Sequence, residues 1–122
     1  MRRDTPFVLV VDGYPDVAAS TCDVLALYGF EAVPARSCAE AVATARRRPP
    51  AAVVVSLVLP DGDGNALAER LRATVRPSPA LIAVSEYREP RTGTFDAHFV
   101  KPADPRRLAE VLRRYVPALV GV

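Results

Sequence analysis

Apolar and polar positions along this chain fall into two alternating textures. Continuous apolar runs occupy residues 7–11 (FVLVV), 51–55 (AAVVV) and 80–84 (ALIAV), with shorter mixed runs at 31–34 and 96–100. Runs rich in β-branched residues, without polar alternation, suit strands covered on both faces of a parallel sheet. Between them the apolar period lengthens to that of a helix. Val17, Thr21, Val24, Leu25 and Tyr28 form one predicted face after the turn Asp12-Gly13-Tyr14-Pro15-Asp16, and Gly29 closes that helix. Pro15 fits the first helical position and Asp16 the positive pole of the first turn. Ser37-Cys38-Ala39-Glu40 has the spacing of a capping box and opens a second helix, with Val42 and Ala45 inward. Arg46, Arg47 and Arg48 read as its solvated last turn, and Pro49-Pro50 ends it. Asp63 caps a third helix starting at Gly64, with Leu67, Leu71 and Val75 on one face. Asp104 and Pro105 open a last helix carrying Leu108, Val111, Leu112 and Tyr115, and Pro117 marks its end.

Five strands alternating with helices predict a parallel sheet with helices on both faces. The fold class is α/β, flavodoxin-like, with strand order 2-1-3-4-5, which places the two most apolar runs side by side at the centre. The fourth crossover is short. Residues 86–95, interrupted by Pro90 and Gly93, leave room for a turn or a stunted helix, so the fourth helix is expected to be short or missing. The whole chain, 1–122, reads as one domain with a core over about 7–116.

Composition narrows the function. A net charge of +2 without a concentrated basic patch argues against nucleic acid. No apolar run is long enough to span a bilayer and no signal-like leader is visible, so a cytoplasmic protein without membrane attachment is expected. Cys22 and Cys38 lack paired-ligand spacing and His98 is the only histidine, which argues against zinc. Of sixteen basic residues only Lys101 is a lysine, a hint that this position needs a compact ammonium on a flexible stem.

In open α/β sheets, sites form beyond the carboxyl ends of the strands. There the predicted topology gathers Asp12, Ser56, Ser85 and Lys101. These residues carry bland readings as well: Asp12 bracing its loop and pairing with Lys101, the two serines satisfying loop backbone, His98 a half-buried strand residue. Four pieces occur in order: VLVVD before the first helix, VVxLxLPxxDG in the centre, an apolar strand ending in Ser85, and Lys101-Pro102 after the fifth strand. Together they resemble the receiver domain of bacterial two-component response regulators over nearly the whole chain. The resemblance implies a phosphoryl-accepting aspartate at the end of the central strand, acids after the first strand that help to hold Mg²⁺, and a Ser or Thr and a Lys that contact the phosphoryl group. Asp12, Ser85 and Lys101 match. Gly13 stands where a second acid is often found, Ser56 stands at the acceptor position, and His98 takes the place of the switch aromatic, to one side of the site.

The departures fall on the chemistry. A serine hydroxyl is neutral and needs a general base to attack phosphorus. Asp12 and Lys101 sum to about zero charge, which leaves little to attract Mg²⁺. The expectation is therefore a degenerate receiver, or pseudo-receiver: no catalytic residues, no cofactor, Mg²⁺ binding weak or absent. It would act as a phosphorylation-independent protein-interaction module whose partner is a signalling protein, a histidine kinase, an output protein or a second copy of itself. The family's contact face implies a surface around His98, the fourth crossover and the last helix. Two alternatives stand beside it: an unconventional switch modified or ligand-bound at Ser56, and a small nucleotide binder on the same fold, although no GxGxxG or GxxxxGK pattern is present.

Overall fold

The computed structural model describes residues 5–86 and 93–116. Five parallel strands, β1 (Val8–Val11), β2 (Ala32–Ala35), β3 (Ala52–Ser56), β4 (Ala80–Ser85) and β5 (Ala97–Val100), form one sheet in the order β2-β1-β3-β4-β5. Helices α1 (Pro15–Leu27), α2 (Cys38–Arg47), α3 (Gly64–Thr74) and α4 (Pro105–Leu112) complete the described elements. A two-residue antiparallel hairpin, Val58–Leu59 with Gly62–Asp63, follows β3. The predicted class and strand order are those observed. The fourth crossover falls largely on residues 87–92 and the apolar tail on 117–122, both outside the described residues.

The apolar runs are continuous because both sheet faces are covered, and successive side chains feed opposite layers. Leu9, Val11, Val53, Val55 and Leu81 pack with α2 and α3 residues such as Val42, Leu67 and Leu71. Val8, Val10, Val54, Ile82 and Val84 pack with Leu25 of α1 and Leu108 and Leu112 of α4.

Helix ends follow local chemistry. The Ser37 hydroxyl accepts from Glu40 N at 3.1 Å and the Asp63 carboxylate accepts from Asn65 N at 2.9 Å. Asp104 does the same for Arg106 N at 2.9 Å. Gly29 takes φ 91° just after α1, a conformation in which a Cβ would be strained.

Two expectations need correction. The buried face of α1 is Ala18, Cys22 and Leu25, whereas Val17 is 42% exposed and Thr21 and Val24 are half-buried. The small Ala18 and Cys22 let the helix sit close to the sheet, which rotates the predicted stripe to the side. Nor is Arg48 part of a solvated end. Its guanidinium lies 4.3 Å from the centre of the Phe7 ring, pairs with Glu31 at 2.9 Å and donates to the Thr5 carbonyl. Arg46 and Arg47 alone are exposed.

Candidate functional site

Parallel register builds the site. Val11 pairs with Val55, so the next residues on β1 and β3, Asp12 and Ser56, leave the sheet side by side. Lys101, just beyond β5, reaches across to both. Its Nζ lies 3.1 Å from Asp12 Oδ2 and 3.4 Å from Ser56 Oγ. Asp12 and Ser56 are buried and Lys101 is half-buried. Water therefore screens the Asp12–Lys101 pair less than it would screen a surface pair. The other oxygen of Asp12 accepts from Tyr14 N at 2.9 Å, closing the first loop. The Ser56 hydroxyl donates to the Val58 carbonyl at 3.3 Å.

Ser85 shares the sheet edge but not the face. Ser56 pairs with Val84, so Ser85, one residue further along β4, points to the opposite layer. Its hydroxyl shares a 2.9 Å hydrogen bond with His98 Nε2. His98 and the Ser85 hydroxyl thus meet on the layer opposite Asp12, Ser56 and Lys101, while the Ser85 carbonyl accepts from Lys101 N at 2.7 Å.

Gly13 sits against the central loop. A Cβ at this position would lie 2.8 Å from Cδ of Pro60, an atom that the proline ring fixes to the backbone. The second acid common at this place in receivers is therefore sterically opposed here.

Asp61 caps a helix far away in the chain, which no local sequence pattern marks. Its two carboxylate oxygens accept from Cys38 N at 2.8 Å and Ala39 N at 3.1 Å, the first turn of α2. Those backbone N–H groups hold its pKa below the ordinary aspartate value. The sign follows from linkage. A lowered folded pKa contributes stability that is present above the unfolded value near 3.9 and is lost as pH falls through the folded one. Asp61→Asn should therefore lower the thermal midpoint at pH 7. Thermal melts of the two chains should converge as pH drops below about 4; a gap that stays constant down to pH 2 would exclude the capping role.

Cys38, beside this carboxylate, has its thiol pushed up to about 11, first by burial and then by Asp61. Burial likewise raises Cys22 to about 11. Neither thiol is primed as a nucleophile at neutral pH.

No family model matches the chain. It is 38% identical over 78 residues to the transcriptional regulatory protein PrrA of Mycobacterium tuberculosis and of Mycobacterium bovis, a match covering 64% of this chain. The matched stretch amounts to only 34% of those curated relatives' length. Among solved structures, a CheY-like response regulator receiver domain from Methylobacillus flagellatus superposes with a TM-score of 0.83 at 28% identity, covering 92% of this chain and 99% of that one. A sensor protein from Polaromonas sp. JS666 gives 0.81 at 32% identity, covering 90% and 94%. No helix of the described residues is long and apolar enough to cross a membrane. Strand order, the Asp12–Lys101 bridge at the strand ends and these likenesses agree: the chain belongs to the family of CheY-like response-regulator receiver domains of two-component signalling.

Proposed function

We propose that this receiver is a pseudo-receiver, which signals by protein contact and takes no phosphoryl group. The observation that carries the reading is Ser56 Oγ at the end of β3, 3.4 Å from Lys101 Nζ, where the family places its acceptor carboxylate. A hydroxyl needs a base to become a nucleophile. The neighbouring amine is an ammonium held beside Asp12 at 3.1 Å and has no lone pair to offer. The Asp12 carboxylate is engaged by that ammonium and by Tyr14 N.

The donor set does not fit Mg²⁺. Asp12 is the one carboxylate of the cluster, and Lys101 cancels its charge. A unit charge at 4 Å is worth about 4 kcal/mol at an effective dielectric near 20, so each missing carboxylate removes a large part of the attraction. Asp61 is committed to α2 and Asp63 to α3. Among the described residues no group of three or more His, Cys, Asp or Glu is gathered as a metal site.

Modification of Ser56 by a protein kinase is disfavoured. The residue is 5% exposed inside a strand end, whereas a kinase needs its substrate hydroxyl in an accessible segment. For partners, the exposed apolar side chains of Val100 on the edge strand and Tyr115 after α4 offer contact area on the face where this family meets other proteins.

The test is incubation of the full chain with acetyl phosphate and Mg²⁺, read by intact-mass spectrometry. No added phosphoryl mass is expected. An adduct that survives acid and is removed by hydroxylamine would overturn the proposal.

A further inference from the structure

Beneath the Asp12–Ser56–Lys101 cluster lies a cavity of about 710 Å³, a size at which small-molecule sites are found. Its floor is the sheet itself, Val10, Val54 and Val84 from three adjacent strands. One wall is the α1 stripe Val17, Thr21 and Val24. This is part of the run that the helical period assigns to the core, and the fold leaves Val17 exposed and Thr21 and Val24 half-buried, since Ala18, Cys22 and Leu25 do the packing. Among the described residues the space thus lies between this edge of α1 and the sheet floor, with Leu25 and Leu108, which pack on that floor, also in the lining.

The charged groups of the lining are Asp12, Lys101 and, at the exposed rim, Glu86; Ser56, Tyr14, Ser20 and Thr21 add hydroxyls. An ammonium has three donors. Among the described residues Lys101 gives one to Asp12 and one to Ser56, which leaves one for a ligand acceptor. Two carboxylates against one ammonium disfavour an anion, and a cation would meet Lys101 and then apolar walls.

We propose that this cavity binds a small, uncharged, largely apolar molecule bearing one carbonyl oxygen, with the body on the Val10–Val54–Val84 floor and the oxygen accepting from Lys101. The site goes beyond the pseudo-receiver reading and rests on it in one respect: Lys101, the donor to the ligand, is the group that would otherwise meet a phosphoryl group.

The probe is prodan, a neutral naphthalene with a single ketone and an environment-sensitive emission. Titrated into the full chain, it should show a saturable blue shift. Val24→Phe fills the chamber from a half-buried position and should weaken binding at least about tenfold, the loss of about 1.4 kcal/mol that tenfold represents. Thr21→Phe, from the same wall, should do the same, so that misfolding of one variant does not decide the matter. The analogue 6-propyl-2-dimethylaminonaphthalene, which keeps the three-carbon chain and lacks the ketone, should compete about tenfold less well, in line with a hydrogen bond to a charged donor. A shift that never saturates, or one that persists in either variant with its thermal midpoint retained, would overturn the cavity site. Equal competition by the ketone-free analogue would overturn the role of Lys101.

Discussion

A chain carrying Ser56→Asp should take up a phosphoryl group from acetyl phosphate where, on the pseudo-receiver reading, the native chain should take up none. The native Oγ already lies 3.4 Å from Lys101 Nζ, so the new carboxylate would arrive beside the ammonium placed to meet a transferred group. It is ionised at neutral pH and needs no base. Two carboxylates against one ammonium change the local sum from zero to −1, which begins to favour a divalent cation. That gain has a cost, because two buried like charges repel and the variant should melt below the native chain. The labelled fraction should be hydroxylamine-labile and should rise with Mg²⁺. Gly13→Asp should not add to it, since its Cβ would stand 2.8 Å from the Pro60 ring; paired with Pro60→Ala, it should. Intact mass after acetyl phosphate treatment reads all four chains. A folded Ser56→Asp protein that stays unlabelled would mean that Ser56 does not occupy the acceptor place, and the pseudo-receiver reading would lose its footing.

The sheet was legible because its code is simple. Residues 7–11, 51–55 and 80–84 are apolar without interruption, and only strands covered on both faces demand that. Helix starts were equally plain where the cap is local, as at Ser37, Asp63 and Asp104. What failed was anything set by the distance between layers. The packed face of α1 is not legible because helical period alone cannot tell a stripe that packs from one that lines a space, and the buried face holds the small Ala18 and Cys22. Arg48 looks solvated in sequence because its partners, Thr5, Phe7 and Glu31, lie far from it in the chain. At the site, the residues were nameable from the motif but their sides were not. Strand parity separates Ser56 from Ser85, and that parity needs the β3–β4 register. The cap from Asp61 to α2 spans more than twenty residues of sequence, beyond the reach of any local pattern.

Gly64→Ala should be among the most damaging single-methyl additions in this protein. A Cβ built there meets the Ser56 carbonyl oxygen at 2.4 Å and Leu57 Cα at 2.7 Å, both backbone atoms that no rotamer change can move aside. Gly64 N donates to the Leu57 carbonyl at 2.9 Å, which draws the start of α3 onto the end of β3 and fixes the strand end that presents Ser56. Relieving the clash means pulling α3 away from the sheet, and with it Leu67 and Leu71, both almost fully buried. Overpacking of this kind costs about 3 kcal/mol or more. At roughly 4 °C per kcal/mol for a domain of this size, the thermal midpoint should fall by about 12 °C. Gly93→Ala is the matched control: among the described residues nothing lies within 4 Å of its added Cβ, and its midpoint should stay within about 2 °C of the native chain. Calorimetry of the three chains decides it. Equal midpoints for the two variants would show that α3 can shift at little cost, and that the geometry holding Ser56 beside Lys101 is looser than the close backbone approach implies.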